Sequence, residues 1–440
     1  MAKQIFKNKK VVIMGLGLHG GGVDSAKFFY KQGASVLVTD LKTEEQLGES
    51  IKKLRSFKKI EYALGGHRED DFKTADLIIK NPDVPGHSPY LEIARQSNIE
   101  IQSDVGLFFK LSGAFIIGVT GSKGKSTTAS LIFHLLKSKY KKIFLAGNIG
   151  VSPLSLLAKV KKGDKVVLEL SSFELDDFNQ SPNIAVVTNI MPDHLNRYAD
   201  MSEYVNSKKR IFKFQGKKDI LVLNGDDAVV RNFAAEATSR VCYFSKESKP
   251  ENINLEGFKL YGNHNLSNLL AAIEVARIMK IPEKVIEKNI KTFKGVHSRQ
   301  EFIREINGVK YFNDTTATIP EAVISAIDSF SDRFRGANIF LICGGVYKGV
   351  DYRRMTERIR DKKVSLILLP GNASDKIKEK LPGYNRIAEV DNMREAVDKA
   401  SKMARAGDLV ILSPAASSFN IFKNEFDRGD QFNKFVKKLK

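Results

Sequence analysis

In the first forty residues, the pattern of apolar and polar positions predicts a strand, a loop, a helix and a second strand, in that order. An apolar run at 11–14 ends at Gly15, a helical pattern covers 24–31, and a second apolar run at 35–38 leads to Asp40. Short apolar runs bounded by glycine predict buried strands, and a longer periodic segment predicts a helix. Two further runs, 75–79 and 99–102, complete a small predicted Rossmann-like unit.

Longer apolar runs dominate the rest of the chain. Those at 165–172 and 184–190 are continuous, which is typical of a parallel sheet covered on both faces. Three later strands alternate with helical sequence, at 337–343, 364–369 and 408–412. We therefore predict an α/β fold of three domains: a Rossmann-like domain at 1–103, a central P-loop-type ATPase domain with a parallel sheet at 104–295, and a second Rossmann-like domain at 296–440.

Composition limits the class of protein. A length of 440 residues suits two to four domains, and 42% hydrophobic residues suffice for real cores. The basic start resembles a signal peptide, but its apolar run ends at glycine after four residues, so a first strand is the better interpretation. No apolar run is long enough to span a bilayer, and Cys242 and Cys343 alone exclude a disulfide framework. We expect a cytoplasmic protein without membrane insertion.

The charge is strongly positive. Lys and Arg number 71 against 51 for Asp and Glu, a net charge of +20. Such an excess attracts polyanions. The lysines are nevertheless scattered, and no basic tract is interleaved with aromatic residues. We therefore expect small anionic substrates and no nucleic-acid partner.

The segment 118–128 has the pattern of a phosphate-binding loop. It lies between an apolar run and an amphipathic one, so it predicts strand, glycine loop and helix. Backbone N–H groups of the loop and the helix start would bind phosphate, Lys125 would add a charge, and Ser126 or Thr127 would offer a hydroxyl to magnesium. The strict pattern is not met, because Val119 replaces its first glycine. An ordinary glycine turn is the alternative.

A second nucleotide pattern lies at 15–20, where Gly-x-Gly-x-x-Gly follows a strand and opens a helix. Asp40 stands about twenty residues further on, as in dinucleotide-binding folds. This pattern predicts contacts to a diphosphate and a ribose. Taken alone, it would indicate a nicotinamide or flavin enzyme.

Three polar residues accompany the central strands. Glu169 lies in the middle of the run 165–172, where an unpaired carboxylate is costly. It either lies near the carboxyl end of the strand and faces a cation, or is an ordinary glutamate at a frayed strand end. His194 follows the next strand and is either a loop histidine or a neighbour of magnesium or phosphate. Lys208 lies on a helix in line with Phe212. It either extends along apolar surface to reach solvent or lies near metal ions with a lowered pKa that suits covalent modification.

Further candidates lie at helix and strand ends. Asn265 and Asn268 are three residues apart at a helix start, where they would cap the helix or bind an adenine edge. In the last domain, the loops after the strands carry four polar residues: Asp314, Thr318, Lys348 and Ser418. Each alone could be an ordinary solvated loop residue, but their shared position after strands would bring them together at one edge of a parallel sheet.

In combination these motifs resemble the Mur ligase family of ATP-dependent amide-forming enzymes, over essentially the whole length. The landmarks that carry the resemblance occur in the family's order: Thr120-Gly121-x-x-Gly124-Lys125-Ser126-Thr127, Gly147-Asn148-Ile149-Gly150, Leu168-Glu169-Leu170-Ser171-Ser172, Asp193-His194, Lys208, His264-Asn265, Asp314-x-x-Ala317-Thr318, Gly344-Gly345-x-x-Lys348 and Ser413-Pro414-Ala415. Within the family, the pattern is most similar to the members that join D-glutamate to UDP-N-acetylmuramoyl-L-alanine. The resemblance implies that ligase reaction through an acyl phosphate, in a monomeric protein.

The resemblance also assigns roles to residues. Gly15, Leu16, Asp40 and Asn148 would contact the UDP substrate, so no hydride chemistry is implied for the first domain. The ATP-binding set would be Gly121, Ser122, Lys123, Gly124, Lys125, Ser126, Thr127, Asn265, Asn268, Arg299 and Asp314. Thr318, Lys348 and Ser418 would bind D-glutamate.

The implied cofactors are ATP and two Mg²⁺ ions. The metal ligands would be Ser126, Glu169, His194 and a Lys208 carbamate formed with CO₂, which turns a cation into the oxygen ligand that magnesium prefers. Lys125, His194 and Lys208 are the expected catalytic residues.

Three positions depart from the family pattern. Lys123 stands where asparagine is usual, Thr316 stands where many members have lysine, and Asn81-Pro82-Asp83 replaces Ser-Pro-Gly. Three alternatives stay open at this point: a related ligase with another amino acid or acceptor, including the folylpolyglutamate type; a nicotinamide-dependent oxidoreductase; and a non-catalytic nucleotide-binding regulator.

Overall fold

The computed structural model describes residues 5–18, 20–176, 178–193, 197–248, 250–258, 260, 262–418 and 421–439. The fold is mixed α/β, with three domains that are each built on one largely parallel sheet. The chain forms two compact units, Met1–Asn254 with Ser267–Asn289 and Leu255–Leu266 with Ile290–Lys440. The first two sheets belong to the first unit and the third sheet to the second. The boundaries at 103/104 and 295/296 stay predictions.

The amino-terminal sheet has five parallel strands in the order β3-β2-β1-β4-β5. Its strands are β1 Lys10–Met14, β2 Ser35–Asp40, β3 Glu61–Leu64, β4 Leu77–Lys80 and β5 Glu100–Gln102. Its helices are α1 Gly21–Lys31, α2 Gly48–Lys52, α3 Glu69–Lys73 and α4 Pro89–Gln96, and α5 Asp104–Ser112 leads to the central domain.

The central sheet has six parallel strands in the order β11-β10-β9-β6-β8-β7. The strands are β6 Phe115–Thr120, β7 Ile143–Gly147, β8 Lys165–Glu169, β9 Ile184–Val187, β10 Ile220–Asn224 and β11 Arg240–Phe244. The helices are α6 Lys125–Leu136, α7 Ser172–Leu175, α8 Met201–Lys213, α9 Ala228–Arg231, α10 Asn263–Ile278 and α11 Glu283–Thr292, with 3₁₀ turns at Pro153–Leu156 and Asn232–Glu236.

The carboxyl-terminal sheet has the order β12-β13-β17-β14-β15-β16, in which only the edge strand β12 is antiparallel. The strands are β12 Glu301–Ile306, β13 Val309–Asn313, β14 Ile339–Gly344, β15 Ser365–Leu369, β16 Ile387–Glu389 and β17 Leu409–Leu412. The helices are α12 Pro320–Arg333, α13 Arg353–Asp361, α14 Asn372–Glu379, α15 Met393–Met403 and α16 Glu425–Lys438.

The predicted fold class is confirmed, and the strands predicted from apolar runs are present with ends shifted by a few residues. The sequence analysis did not identify six strands, namely β3, β7, β10, β11, β12 and β16. Several of these lie at sheet edges, where partly exposed residues weaken the apolar pattern. Within the described ranges, no helix has the length and apolar character needed to cross a bilayer.

Candidate active site

The phosphate loop connects β6 to α6, as the sequence predicted. Gly121 and Gly124 both have a positive φ, of 144° and 83°. Helix α6 begins at Lys125 directly after Gly124, which has no side chain to cap the first-turn N–H groups. Those N–H groups are therefore left for an anion. Lys125 Nζ donates to the carbonyls of Gly121 and Ser122 at 2.9 Å each, which keeps its charge at the loop.

Asn268 packs directly against this loop. A Cβ atom on Gly124 would lie 2.2 Å from Asn268 Oδ1, so only glycine fits there. The same Oδ1 accepts a hydrogen bond from Thr128 Oγ1 at 3.2 Å. The capping interpretation of Asn265 and Asn268 is wrong, because α10 begins at Asn263 and both residues lie inside it. Both side chains are buried.

Lys123, which departs from the family pattern, is paired with an acid. Its Nζ lies 3.1 Å from Asp193 Oδ2. Its backbone is held as well, because the Lys123 N–H donates to Asn189 Oδ1 and the carbonyl accepts from Thr188 Oγ1. The additional charge in the loop is thus balanced by Asp193, the residue before His194.

Lys208 is buried, with 1% of its surface exposed, and Nζ donates to the Gly121 carbonyl at 3.0 Å. Two lysine side chains, Lys125 and Lys208, therefore share one carbonyl oxygen. Burial, and then the neighbouring charge of Lys125, lower the pKa of Lys208 well below its usual value, while Asp193 and Asp176 act in the opposite direction. A neutral amine is the form that reacts with CO₂, so the site suits the predicted carbamate.

Glu169 is the last residue of β8, at the carboxyl end of the strand, and is buried. Oε1 accepts a hydrogen bond from Asn148 Nδ2 at 3.3 Å, whereas Oε2 is buried without a hydrogen-bond partner. An unpartnered buried carboxylate oxygen fits a cation, and Mg²⁺ prefers such ligands. The residues present thus fit a bound magnesium ion.

The other predicted metal ligands are Ser126, His194 and a carbamate on Lys208. His194 lies outside the described residues. Within the part of the chain that the structure describes, no three His, Cys, Asp or Glu side chains lie close enough together to bind one metal ion. The metal proposal therefore depends on Glu169, on the Ser126 hydroxyl at the start of α6 and on a modified Lys208.

The glycine loop of the amino-terminal domain is held by Asp40. Asp40 Oδ2 accepts hydrogen bonds from the N–H groups of Leu16 and Gly17, at 2.9 and 3.1 Å, and Oδ1 accepts from the Lys42 N–H at 2.9 Å. The Leu16 amide is thus already paired within the chain. Helix α1 begins after Gly20, which has no side chain to cap the N–H groups of the first turn, an arrangement compatible with the predicted diphosphate contact.

Arg197 is not among the residues predicted from the sequence. Its Nη1 and Nη2 donate to the carbonyls of Asp83 and Pro82, at 3.0 and 2.7 Å. The partners are more than a hundred positions away, so no local pattern predicts the contact. The Asn81-Pro82-Asp83 segment, which sequence reasoning left unexplained, is also bound to the glycine loop, because Asn81 Nδ2 donates to the Gly15 carbonyl at 3.2 Å.

In the second unit, Asp314 follows β13 and is buried. Oδ1 accepts from the Gln300 N–H at 3.1 Å, and Oδ2 accepts from Ser413 Oγ at 3.0 Å. Burial raises the pKa of Asp314 to about 7, although the charge of Arg299 opposes the shift. Thr316, the other departure in this domain, donates from Oγ1 to the Ser298 carbonyl at 2.9 Å.

The three predicted amino-acid-binding residues lie on neighbouring loops of this unit. Lys348 Nζ is 3.4 Å from Thr318 Oγ1. Val346 and Ser417 exchange backbone hydrogen bonds, which places the Lys348 loop beside the loop that carries Ser418. Ser418 Oγ is buried without a hydrogen-bond partner. A buried hydroxyl group without a partner is available to form a hydrogen bond with a ligand.

Arg428, which is fully buried in α16, is also not among the residues predicted from the sequence. Its guanidinium donates to Thr315 Oγ1, the Thr315 carbonyl and the Ala416 carbonyl, at 3.0, 2.9 and 3.1 Å. It thereby holds together the two loops that carry Thr318 and Ser418. The signal in the sequence was its helical spacing with Phe432 and Val436, both buried.

Known proteins are similar to this chain over its whole length. Three family models match: "Mur ligase MurD-like, N-terminal domain" at residues 9–103, "Mur ligase middle domain" at 119–276 and "Mur ligase, glutamate ligase domain" at 298–416. Relatives named UDP-N-acetylmuramoylalanine--D-glutamate ligase occur in Acetivibrio thermocellus, at 37% identity, and in Roseiflexus sp. (strain RS-1), at 35% identity. The matches cover 99% and 97% of this chain and 98% of each relative.

Solved structures with a similar fold include the UDP-N-acetylmuramate-alanine ligase MurC from Thermotoga maritima, with a TM-score of 0.63 at 18% identity over 98% of this chain and 99% of that one. The MurF ligase from Thermotoga maritima in complex with ADP has a TM-score of 0.60 at 19% identity, over 99% of this chain and 97% of that one. These structures support the assignment of the fold, and the sequence relatives and family models support membership of a family. The chain belongs to the Mur ligase family.

Proposed function

We propose that this chain is an ATP-dependent ligase that joins D-glutamate to UDP-N-acetylmuramoyl-L-alanine. The observation that carries the proposal is Lys208, a buried lysine with a lowered pKa that donates to the Gly121 carbonyl of a phosphate loop. A neutral lysine beside a phosphate loop suits carbamate formation next to bound ATP, a feature that favours phosphorylation of a carboxylate over nicotinamide chemistry. The names of the relatives support the choice of D-glutamate.

The chemistry has two steps. A carboxylate oxygen of the UDP substrate attacks the γ-phosphorus of ATP, and ADP leaves. The amine of D-glutamate then attacks the carbonyl carbon of the acyl phosphate, loses a proton and expels inorganic phosphate. Bound Mg²⁺ would neutralise negative charge on the transferring phosphoryl group.

The residues of the chain provide binding and charge for these steps. The N–H groups at the start of α6 and Lys125 bind the ATP phosphates. Glu169, Ser126, His194 and carbamylated Lys208 are the proposed metal ligands. Thr318, Lys348 and Ser418 bind D-glutamate, and Lys348 meets its carboxylate. Asn265, Asn268, Arg299 and Asp314 bind the adenosine end of ATP.

Phosphate release tests the reaction. With ATP, Mg²⁺ and UDP-N-acetylmuramoyl-L-alanine, we expect release with D-glutamate and not with L-glutamate, L-alanine or L-lysine. Release with another amino acid would support a related ligase, and no release with any amino acid would contradict the proposal. We further propose a monomeric, cytoplasmic enzyme, which light scattering and cell fractionation would test.

The carbamate has its own test. With ¹³C-labelled bicarbonate, we expect a carbamate carbon signal in the wild-type protein that is absent from Lys208→Met. Lys208→Ala should lose nearly all turnover, and added bicarbonate should not restore it, because the variant has no amine to modify. Full activity in Lys208→Ala would contradict the assignment.

A further inference from the structure

The turn Asn81–Val84 connects β4 to α4 and is tied to the glycine loop of the amino-terminal domain. The Val84 N–H donates to the Asn81 carbonyl at 3.0 Å, which closes the turn. Asn81 Oδ1 accepts from the Asp83 N–H at 3.1 Å, and Asn81 Nδ2 donates to the Gly15 carbonyl at 3.2 Å. A shift of this turn would therefore move the loop that begins at Gly15.

Arg197 holds the same turn from the central domain. Its guanidinium donates to two consecutive carbonyls, Pro82 at 2.7 Å and Asp83 at 3.0 Å. The planar guanidinium can bond two acceptors at once, which a lysine ammonium does less rigidly. Two carbonyls bound in this way fix the orientation of the turn.

The guanidinium of Arg197 is itself held in place. Its central carbon lies 4.1 Å from the ring centroid of Phe173, and Nη2 lies 3.9 Å from Asp176 Oδ2. Phe173 belongs to α7, which closely follows Glu169 at the end of β8. The segment that positions the Glu169 carboxylate thus also supports Arg197.

We propose that Arg197 is a positioning residue for the nucleotide end of the UDP substrate. This inference rests on the proposed function, because it takes the Gly15 loop as the UDP site. Arg197 fixes the 81–84 turn, and Asn81 passes that constraint to the loop at Gly15. Through these contacts, Arg197 of the central domain influences how tightly the amino-terminal domain binds UDP. The Asn81-Pro82-Asp83 segment, which departs from the family pattern, transmits this effect to the glycine loop.

The test compares Arg197→Met and Arg197→Lys with Arg95→Met in the full chain. Arg95 is a matched control, because its Nη2 donates to the Gly86 carbonyl just beyond the turn, at 2.8 Å, from within the amino-terminal domain. Calorimetry measures the Kd for UDP and for UDP-N-acetylmuramoyl-L-alanine, and steady-state kinetics give kcat and each KM.

For Arg197→Met we expect the Kd and KM of the UDP substrate to rise about tenfold, the loss typical of charge-assisted hydrogen bonds, while kcat and the KM for D-glutamate stay within about twofold. Arg197→Lys should be intermediate and Arg95→Met unchanged. Wild-type affinity in Arg197→Met, an equal loss in Arg95→Met, or a lower kcat with unchanged affinity would overturn the inference. No binding of the UDP substrate by the wild-type protein would instead refute the proposed function.

Discussion

The unpartnered Oε2 of Glu169 leads to a prediction about stability to unfolding, which can be tested without measuring turnover. In Glu169→Gln, the side chain keeps its shape and its acceptor for Asn148 Nδ2, but the negative charge is lost. Oε2 has no hydrogen-bond partner in the fold, so the wild-type protein carries a buried carboxylate that only a cation would satisfy. We expect the variant to be more stable than the wild type in chelator.

The magnitude follows from the burial of Glu169. A buried neutral polar group without a partner costs about 1–3 kcal/mol, and a charged group costs more. The glutamine leaves its own buried Nε2 without a partner, so the variant gains only the difference between an unpaired charge and an unpaired neutral group. We take this difference as about 1 kcal/mol, which raises Tm by roughly 2–4 °C in a domain of this size. Mg²⁺ at about 100 times its Kd should stabilise the wild-type protein by about 2.7 kcal/mol, and the variant by much less.

The assay is thermal unfolding in EDTA and in saturating MgCl₂, with Glu174→Gln as the matched control. Glu174 is a second buried carboxyl nearby, and Oε2 accepts from the Ser171 N–H and Oγ. Burial and the charge of Asp104 raise the pKa of Glu174 to about 8, so the group is largely protonated at pH 7 and glutamine resembles it. This control should keep the wild-type Tm and the full effect of Mg²⁺.

Two results would refute the reasoning about Glu169. One is a Glu169→Gln protein that is less stable than the wild type in EDTA, because the carboxylate would then be satisfied in the fold without a cation. The other is an equal Mg²⁺ effect in both variants, which would place the ion away from Glu169.

The other predictions concern ATP, D-glutamate and pH. Gly124→Ala and Gly163→Ala both place alanine at a positive φ, 83° and 84°, but only the first meets Asn268 Oδ1. Gly163→Ala should lose about 1 kcal/mol in urea unfolding from the positive φ alone, and Gly124→Ala should lose more because buried Asn268 must also move. Only Gly124→Ala should raise the KM for ATP, and equal KM values would contradict this. Ser418→Ala should keep its stability, because the hydroxyl lacks a partner, while the KM for D-glutamate rises; lower stability with an unchanged KM would contradict it. The folded-state pKa of Asp314 is raised to about 7, so its contribution to the free energy of unfolding is lost as pH rises from about 4 to about 7. Asp314→Asn should lack that slope in urea unfolding, and parallel profiles would contradict it.

The residues that the sequence predicted well are those with local signals. Glycines before a helix located the phosphate loop, and an acid within an apolar run indicated that Glu169 lies near the carboxyl end of its strand, where β8 ends. For Lys208, in line with Phe212 on a helix, the sequence left open whether the side chain reaches solvent or has a lowered pKa; in the structure it is buried, and burial lowers its pKa. Glu169 and Lys208 are charged residues within apolar patterns, and the glycines directly precede a helix. Each of these signals is visible in the local sequence.

Contacts between distant segments were not predictable. The ion pair of Lys123 with Asp193 and the hydrogen bonds of Arg197 to the 81–84 turn join segments about seventy and more than a hundred residues apart. Asp40 was expected to contact a ligand, and its bonds to the loop N–H groups depend on how β2 ends beside β1. Such pairings follow from sheet order, which a single sequence does not specify.

Transfer of an oxygen isotope tests the central claim most directly. The free carboxylate of UDP-N-acetylmuramoyl-L-alanine is labelled with ¹⁸O, and the labelled substrate is incubated with ATP, Mg²⁺, D-glutamate and the full chain. Attack by the amine breaks the C–O bond of the acyl phosphate, so the bridging substrate oxygen leaves with the phosphate. We predict one ¹⁸O atom in the released phosphate and a product that is extended by one glutamate residue and retains the other ¹⁸O. Unlabelled phosphate, or an unchanged UDP substrate, would contradict the proposed ligase.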